Sequence, residues 1–519
     1  MESVAGSVRT TDVVRYKSAG HCLVIGDSDA VLATCAKLDV PRWTACVLGQ
    51  ERSPEKLLGE NGECILQAHT LVLSGHLGAY TARLLGADNE RDAAEMAGET
   101  RGVFDTVLDL QRTPSIQVET LPFGYFAPQT DALCDQAIEA LSDLAGEFDK
   151  PRYFRYEASL CAHSASRQTG CTRCLQACDT GAIASIVDSV EVDPYLCQGC
   201  GQCATVCPTG AMRYAWPDPV DSAASLRTSL LQRDDRPQLL VYQRDASDFV
   251  SAKLDHLAPT VHANCMPVAV EEVGSFGPDL WWSALAWGAS RVLLVMDANQ
   301  GHGGPAIAME LETAAALLSS LGLPETCIRA GALDDCVAAL RGGAPDAQWD
   351  RGRFGAMSDK RVMIRLALDH LHSAMRAETQ VVDLPSHAPF GRVSASDACT
   401  LCMSCVSVCP ANALLDGSGV PALRFIENNC VQCSLCESAC PENAISREQR
   451  YLFDSSAARE TRELRAEEPF LCVECAKPFA VRSVIEKMQA KLADHWMFSD
   501  DKAKRRLMMC EDCRVKDQF

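Results

Sequence analysis

Twenty-eight cysteines stand in this chain of 519 residues, and most of them fall into groups. Cys399, Cys402, Cys405 and Cys409 read C-T-L-C-M-S-C-V-S-V-C-P, and Cys430, Cys433, Cys436 and Cys440 read C-V-Q-C-S-L-C-E-S-A-C-P. Upstream, Cys197, Cys200, Cys203 and Cys207 repeat the spacing and are followed by Pro208. A fourth group is irregular. Cys171, Cys174 and Cys178 fill its last three places, but Gln168 stands where the first cysteine belongs and Asp179 replaces the proline. Cys161 supplies the missing thiol across a looped-out H-S-A-S-R-Q-T-G. Thiolates are soft ligands suited to iron–sulfur clusters, and x2 spacing curls a short loop around one cubane. Proline after the last cysteine turns the chain away. Zinc is the competing metal, but it favours isolated C-x2-C pairs over four runs of four. Without Cys161 the irregular group would hold a three-iron form or take a ligand such as His163, which itself reads as a hydrogen-bonded loop residue.

The runs resemble the two-cluster bacterial ferredoxins, in which three thiolates of a run hold one [4Fe–4S] cubane and the fourth crosses to its neighbour. Carried over, one cluster falls to Cys399, Cys402, Cys405 and Cys440, and the next to Cys430, Cys433, Cys436 and Cys409. Upstream, Cys161, Cys171, Cys174 and Cys207 take one cluster, and Cys197, Cys200, Cys203 and Cys178 the other. That makes four [4Fe–4S] clusters.

Two further C-x2-C knuckles, Cys472/Cys475 and Cys510/Cys513, stand 34 residues apart near the C-terminus. Val481, Val484, Ile485, Met488 and Leu492 recur between them at helical spacing. Two such pairs closing a tetrahedral S4 site suit one structural Zn²⁺; mononuclear iron uses the same ligands, and a fifth cluster is a third reading. Lys502, Lys504, Arg505 and Arg506 form a basic stretch beside the second knuckle, either a solvated face or a docking point.

Two long segments must position these groups. Residues 20–150 open with HCLVIGDSDAVLATCAKLD, a short apolar strand, a turn and a helix. TLVLSG, from Thr70, reads as a second buried strand, with a helix through Tyr80 and Leu84. This is α/β patterning with parallel strands. A dinucleotide site would want G-x-G-x-x-G, whereas Gly26 is followed by Asp27, Ser28 and Asp29, which repel a pyrophosphate. Residues 219–390 repeat the style with strands QLLVYQRD and RVLLVMD and a helical MELETAAALLSSLG from Met309. Leu23–Asp39 aligns without gaps on Leu239–Asp255, both ending A-K-L-D, so a tandem duplication predicts one strand order in both sheets. The glycine-rich turn from Asp297 to Ala306 offers an anion site or a flexible loop.

The expected fold is multidomain α/β plus α+β. It comprises an α/β domain over 1–150, a two-cluster ferredoxin module over 151–218 and a second α/β domain over 219–390. A second module follows over 391–450, then a helical, zinc-ribbon-like tail over 451–519. The formal charge of −21 argues against a grip on nucleic acid phosphates or anionic lipid and suits docking onto basic patches of redox partners. No signal peptide or membrane-spanning run is visible, so a soluble, cytoplasmic protein is expected.

Val261 to Leu323, with NCMPVAVEEVGSFGPDLWWSALAWGASRVLLV, resembles the delta-subunit family of methyl-viologen-reducing hydrogenases. That family carries a [2Fe–2S] cluster; here Cys265 alone matches, implying a docking body without the cluster. PFGYFAP, FDKPRYFRYEASLCAH and the tail ECAKPFA…MMCEDCRV are similar to a group of bacterial 4Fe–4S proteins accompanying molybdenum formate dehydrogenases. The resemblance implies a subunit relaying single electrons between such an enzyme and another carrier or reductase. The sequence offers no nucleophile–base pair, so whether the chain is itself an enzyme is left open. The alternatives are a flavin- or nucleotide-binding oxidoreductase subunit and a non-redox scaffold or maturation factor.

Overall fold

The computed structural model describes residues 12–27, 30–49, 53–59, 62–86, 89–296, 304–345, 349–493, 495 and 500–517. The acidic turn at Ser28 and Asp29, and the glycine-rich turn up to Gly303, lie outside the described residues.

The first α/β domain is built on a six-stranded sheet. Its order is Tyr125–Phe126, Thr106–Asp109, His21–Gly26, Arg42–Leu48, Cys64–Ala68, Glu55–Leu58, parallel throughout except for the last pair. Every residue of His21–Gly26 is buried, as a strand covered on both faces must be. One face packs on the helices Ala30–Cys35 and Asp131–Ser142, and the other on a small second sheet. That second sheet corrects the expectation for TLVLSG. Thr70–Ser74 is a strand, but largely exposed rather than buried, and it pairs antiparallel with Thr81–Leu85, which pairs in turn with Glu90–Asp92. No helix passes through Tyr80 and Leu84. Ala82 and Leu84 are buried while Thr81 and Arg83 are exposed, so the apolar period is two. Gly75 and Gly78, at φ of 118° and 81°, bend the chain back between the strands.

The second α/β domain has four parallel strands in the order Cys265–Val270, Gln238–Gln243, Arg291–Val295, Ile328–Gly331. Pro219–Leu231, Pro278–Trp287, Gly304–Ser320 and Lys360–Met375 cover one face; Ser247–Asp255 and Leu333–Arg341 cover the other. Pro278–Trp287, apolar nearly all round, lies in the middle of the core with Trp281 and Trp287 fully buried. Counted along the chain, its parallel strands run 2-1-3-4, and those of the first sheet 3-2-1-4-5. Simple duplication required one order, and that is not found. The excess is the stretch from Glu55 to Ala97, without which the four remaining strands share one order.

Each cysteine-rich module has one hairpin, one antiparallel ladder that joins its two ends, and two short helices. In the first, Phe154–Tyr156 pairs with Met212–Tyr214 and Ile183–Ile186 with Ser189–Val192, flanking helices Arg173–Gln176 and Gln202–Val206. In the second, Gly391–Ala395 pairs with Ile445–Leu452 and Leu414–Asp416 with Ala422–Phe425, flanking helices Ser404–Ser407 and Leu435–Ser438. Ile445–Leu452 runs across the expected boundary at 450, and Arg462–Ala466 adds a strand to Ala422–Phe425. The module therefore continues to residue 466. The tail is a hairpin, Pro469–Leu471 with Pro478–Val481, followed by helices Arg482–Leu492, Asp501–Arg506 and Glu511–Lys516. Among the described residues no helix is long and apolar enough to cross a membrane.

Candidate iron–sulfur and metal centres

The three regular motifs share one backbone. Between their cysteines, two residues sit in the left-handed region: Gly199 and Gly201, Leu401 and Met403, Gln432 and Ser434. Four of these six are not glycine, and each such position costs about 1–2 kcal/mol. The return is direction, since the turned backbone aims successive N–H groups at the sulfurs, a cradle for anions. Backbone groups of Gly199, Gln202, Leu401, Gln432 and Leu435 bond the thiols of Cys197, Cys200, Cys399, Cys430 and Cys433, each two residues earlier. A second repeat follows the last cysteine. Gly181, Gly210, Asn412 and Asn443 all have positive φ. Met212 N–H donates to Cys207 Sγ at 3.3 Å, Ala413 N–H to Cys409 Sγ at 3.3 Å, and Ala444 N–H to Cys440 Sγ at 3.2 Å.

The irregular motif reaches the same end differently. Its looped-out segment is a tight β-hairpin, Ser164–Ala165 with Gln168–Thr169, turning at Ser166 and Arg167 with φ of 51° and 64°. The ladder runs on through Gly170 N–H to His163 O (2.6 Å) and Cys171 N–H to Ala162 O (2.9 Å), which places Cys161 beside Cys171. One cavity is lined by Cys161, Cys171, Cys174 and Cys207 together. His163 is buried with Nδ1 2.9 Å from Cys171 O and Nε2 2.7 Å from Ser185 Oγ. Both ring nitrogens are engaged.

The crossover partners lie together. Burial pushes the Cys174 thiol up to about 12, with Cys207, Cys171 and Cys161 adding to it. Burial and then Asp179, Cys197 and Cys178 raise Cys200. Burial, Cys399, Cys402 and Cys440 hold Cys405 at about 12. Cys433 reaches about 11 through burial, with Cys430 and Cys409 adding. Thiols so crowded ionise together only when a cation is shared among them, which is the role of cluster iron.

Other charges face the sulfurs. Lys150 acts on Cys197, Arg173 on Cys171, Arg361 and Arg447 on Cys430, and Arg465 on Cys399. Gln432 Nε2 donates to Cys430 Sγ at 3.3 Å. Asp179, the residue in place of the proline, has Oδ1 3.8 Å from Cys200 Sγ. Sequence reasoning missed these flanking groups, because their spacing to the cysteines follows no motif.

The C-terminal site differs in scale. The sulfurs of Cys472, Cys475, Cys510 and Cys513 all lie within 4.8 Å of one another, with Cys475 and Cys510 3.6 Å apart. A tetrahedral S4 centre with bonds of about 2.3 Å sets its sulfurs about 3.8 Å apart. Among the described residues no other group of three or more His, Cys, Asp and Glu side chains is drawn so tightly. Burial opposes ionisation of Cys472, but backbone groups of Cys510, Cys475 and Glu474 outweigh it and bring the thiol to about 6. The hairpin carries the first knuckle, and Glu511–Lys516 the second. Much of the basic stretch is spent inside the tail: Arg505 pairs with Glu474, and Arg506 and Lys502 with Asp517. Cys265 is buried at the start of its strand, where burial raises it to about 12.

Residues 190–213 match the family model of the 4Fe-4S binding domain, and residues 398–445 that of the 4Fe-4S dicluster domain. No curated protein matches the chain. With two ferredoxin-type domains on a mixed α/β framework, the chain is a multi-cluster iron–sulfur protein. Transfer of single electrons is the chemistry such domains supply.

Proposed function

We propose that the chain is an electron-transfer subunit with four [4Fe–4S] clusters, held by the four cysteine quartets that the crossover rule defines. The observation that carries this is the irregular quartet. Its hairpin brings Cys161 into one cavity with Cys171, Cys174 and Cys207, so the deviant motif still offers four thiols. The N–H groups aimed at sulfur in the regular motifs fit thiolate ligands of an anionic cluster. Each cluster takes up and releases one electron at a time; the chain's own part is to orient the thiols, exclude water and set the surrounding charge.

The tail holds one structural Zn²⁺ in this reading, on the tight spacing of Cys472, Cys475, Cys510 and Cys513. The redox partner is a molybdenum formate dehydrogenase or a related enzyme, with the second α/β domain as docking body and the complex in the cytoplasm. Metal and sulfide analysis of the protein purified without oxygen, with EPR after reduction, tests the core of the proposal. About sixteen iron and one zinc per chain are expected from four cubanes and one S4 site. Eight iron or fewer, or a stoichiometric flavin, overturns it.

A further inference from the structure

The two ferredoxin modules are separated by a whole α/β domain in sequence, yet they touch at the irregular motif. A β-carbon on Gly170 would lie 2.6 Å from Leu435 Cγ and 3.0 Å from the carbonyl oxygen of Cys433 across the junction, and 2.8 Å from the carbonyl oxygen of Ala162 within its own hairpin. Gly170 directly precedes Cys171, so a ligand position of each module meets the other across the width of one missing side chain. The hairpin strand Gln168–Thr169 packs on the helix Leu435–Ser438, which follows Cys433 and carries Cys436.

The junction is braced by one helix. Lys360 and Arg361 are consecutive residues in the first turn of Lys360–Met375. Lys360 Nζ donates to the carbonyls of Ala204 (2.7 Å) and Thr205 in the first module. Arg361 donates to the carbonyls of Asn428 (3.0 Å), Pro389 (3.0 Å) and Cys430, at the second. Arg173 adds a tie, with Nε on Val206 O at 2.8 Å and its guanidinium on His387 O and Glu310. These bonds reach carbonyls and a carboxylate of both modules and of the domain between them, so the spacing between modules is set on both sides of Gly170.

We propose that the Cys161–Cys171 hairpin is the junction of one continuous electron path through both modules, with Gly170 as the positioning residue that lets the two inner quartets approach. The path runs from Cys178/Cys197/Cys200/Cys203 to Cys161/Cys171/Cys174/Cys207. It crosses to Cys409/Cys430/Cys433/Cys436 and ends at Cys399/Cys402/Cys405/Cys440, where Cys402 is exposed. The inference rests on the four-cluster reading. A regular motif has no hairpin between its first two cysteines, so the irregularity is what carries Gly170 to Leu435.

The test is EPR of the fully reduced, full-length protein, with iron and sulfide measured on the same sample. In the wild type the inner clusters broaden each other through spin–spin interaction. Gly170→Leu, whose side chain meets Leu435 and also the Ala162 carbonyl of its own hairpin, is expected to lose the broadening between modules. If that variant loads poorly, two others decide. Cys171→Ser with Cys174→Ser, which removes the first module's inner quartet, should sharpen the second module's signal, whereas Cys197→Ser with Cys200→Ser should leave it broadened. Sixteen iron with the spectra of the two modules simply additive overturns the junction and leaves the four-cluster reading standing. A low iron count in the wild type overturns both.

Discussion

Replacing Cys161 by alanine removes one ligand from one quartet and, besides that, only a hydrogen bond to Tyr156. The residue is half-buried at the foot of the hairpin, with Tyr156 beside it and three partner thiols across a shared cavity. With the sulfur gone, one corner iron of one cubane has no protein ligand, and three corners remain held. The expected loss is one iron in about sixteen, with the other clusters intact and a three-iron signal in the oxidised protein. Zinc stays at one. The Cys171 carbonyl only accepts, so Nδ1 of His163 carries the proton and Nε2, the one lone pair, accepts from Ser185 Oγ. His163→Ala thus breaks two part-buried hydrogen bonds and costs about 1 kcal/mol, with the iron count unchanged. Iron, sulfide and oxidised-state EPR on both variants settle the matter. If Cys161→Ala keeps its full iron while His163→Ala loses one, the ligand assignment is refuted.

Cys475→Ser is expected to remove the single zinc and leave the iron count unchanged, as read by metal analysis of one sample for both elements. Glu427 is buried between Arg450 (2.7 and 2.9 Å) and Arg462. Burial raises its carboxyl, but the two arginines outweigh burial and hold it below the usual range. Glu427→Gln should cost about 3–5 kcal/mol in thermal or denaturant unfolding at pH 7, because both arginines lose their counter-charge. Since a depressed carboxyl stabilises only while ionised in the fold, the gap to wild type should be full above pH about 4.5 and shrink as pH falls further. Asp179→Asn removes a negative charge beside Cys200, and Arg361→Met a positive one beside Cys430. Potentiometric EPR titration should show one cluster shifted up in the first variant and a different one shifted down in the second. Shifts of the same sign would contradict the assignment of these charges.

The cysteine spacing was legible because a ligand loop is local: C-x2-C-x2-C-x3-C fixes which thiols face one another before any tertiary contact forms. The nearness of Cys161 to Cys171, Cys174 and Cys207 was reachable by the same logic once a loop was allowed. The two parallel sheets were legible where apolar runs such as LVIG and LLVY are buried on both faces. Thr70 to Leu85 was misread because Tyr80 and Leu84 satisfy helical spacing by accident, while the alternation of Thr81 to Leu85 spans too few residues to stand out. What joins the modules left no trace in sequence. Lys360 and Arg361 look like any basic pair opening a helix, and their partners are backbone carbonyls, which have no sequence signature. Gly170 looks like a turn residue, yet its φ is not positive; it is needed for the room it leaves to Leu435.

The formal charge of −21 poses a problem for any chain that also binds anionic clusters, because negative charge added inside an acidic protein is repelled from every side. The distribution answers it. Each of the four quartets faces at least one cation, through Lys150, Arg173, Arg361 with Arg447, and Arg465. Lys150 Nζ also donates to the carbonyls of Tyr195 and Cys197, so it is tethered where the charge is needed. Salt at 0.1 M screens exposed acids that lie more than about 10 Å away, whereas partly buried pairs are screened much less. Arg173, Arg447 and Arg465 share their charge with Glu310, Glu437 and the Asp397/Glu467 pair, whereas Lys150 and Arg361 are held by carbonyls, so the uncompensated positive charge faces Cys197 and Cys430. Against that background Asp179, a carboxylate set 3.8 Å from a cluster thiol, is an exception built into the outer quartet of the first module. Its place at one end of the path is where an asymmetry in potential acts on an entering or leaving electron without interrupting the steps between.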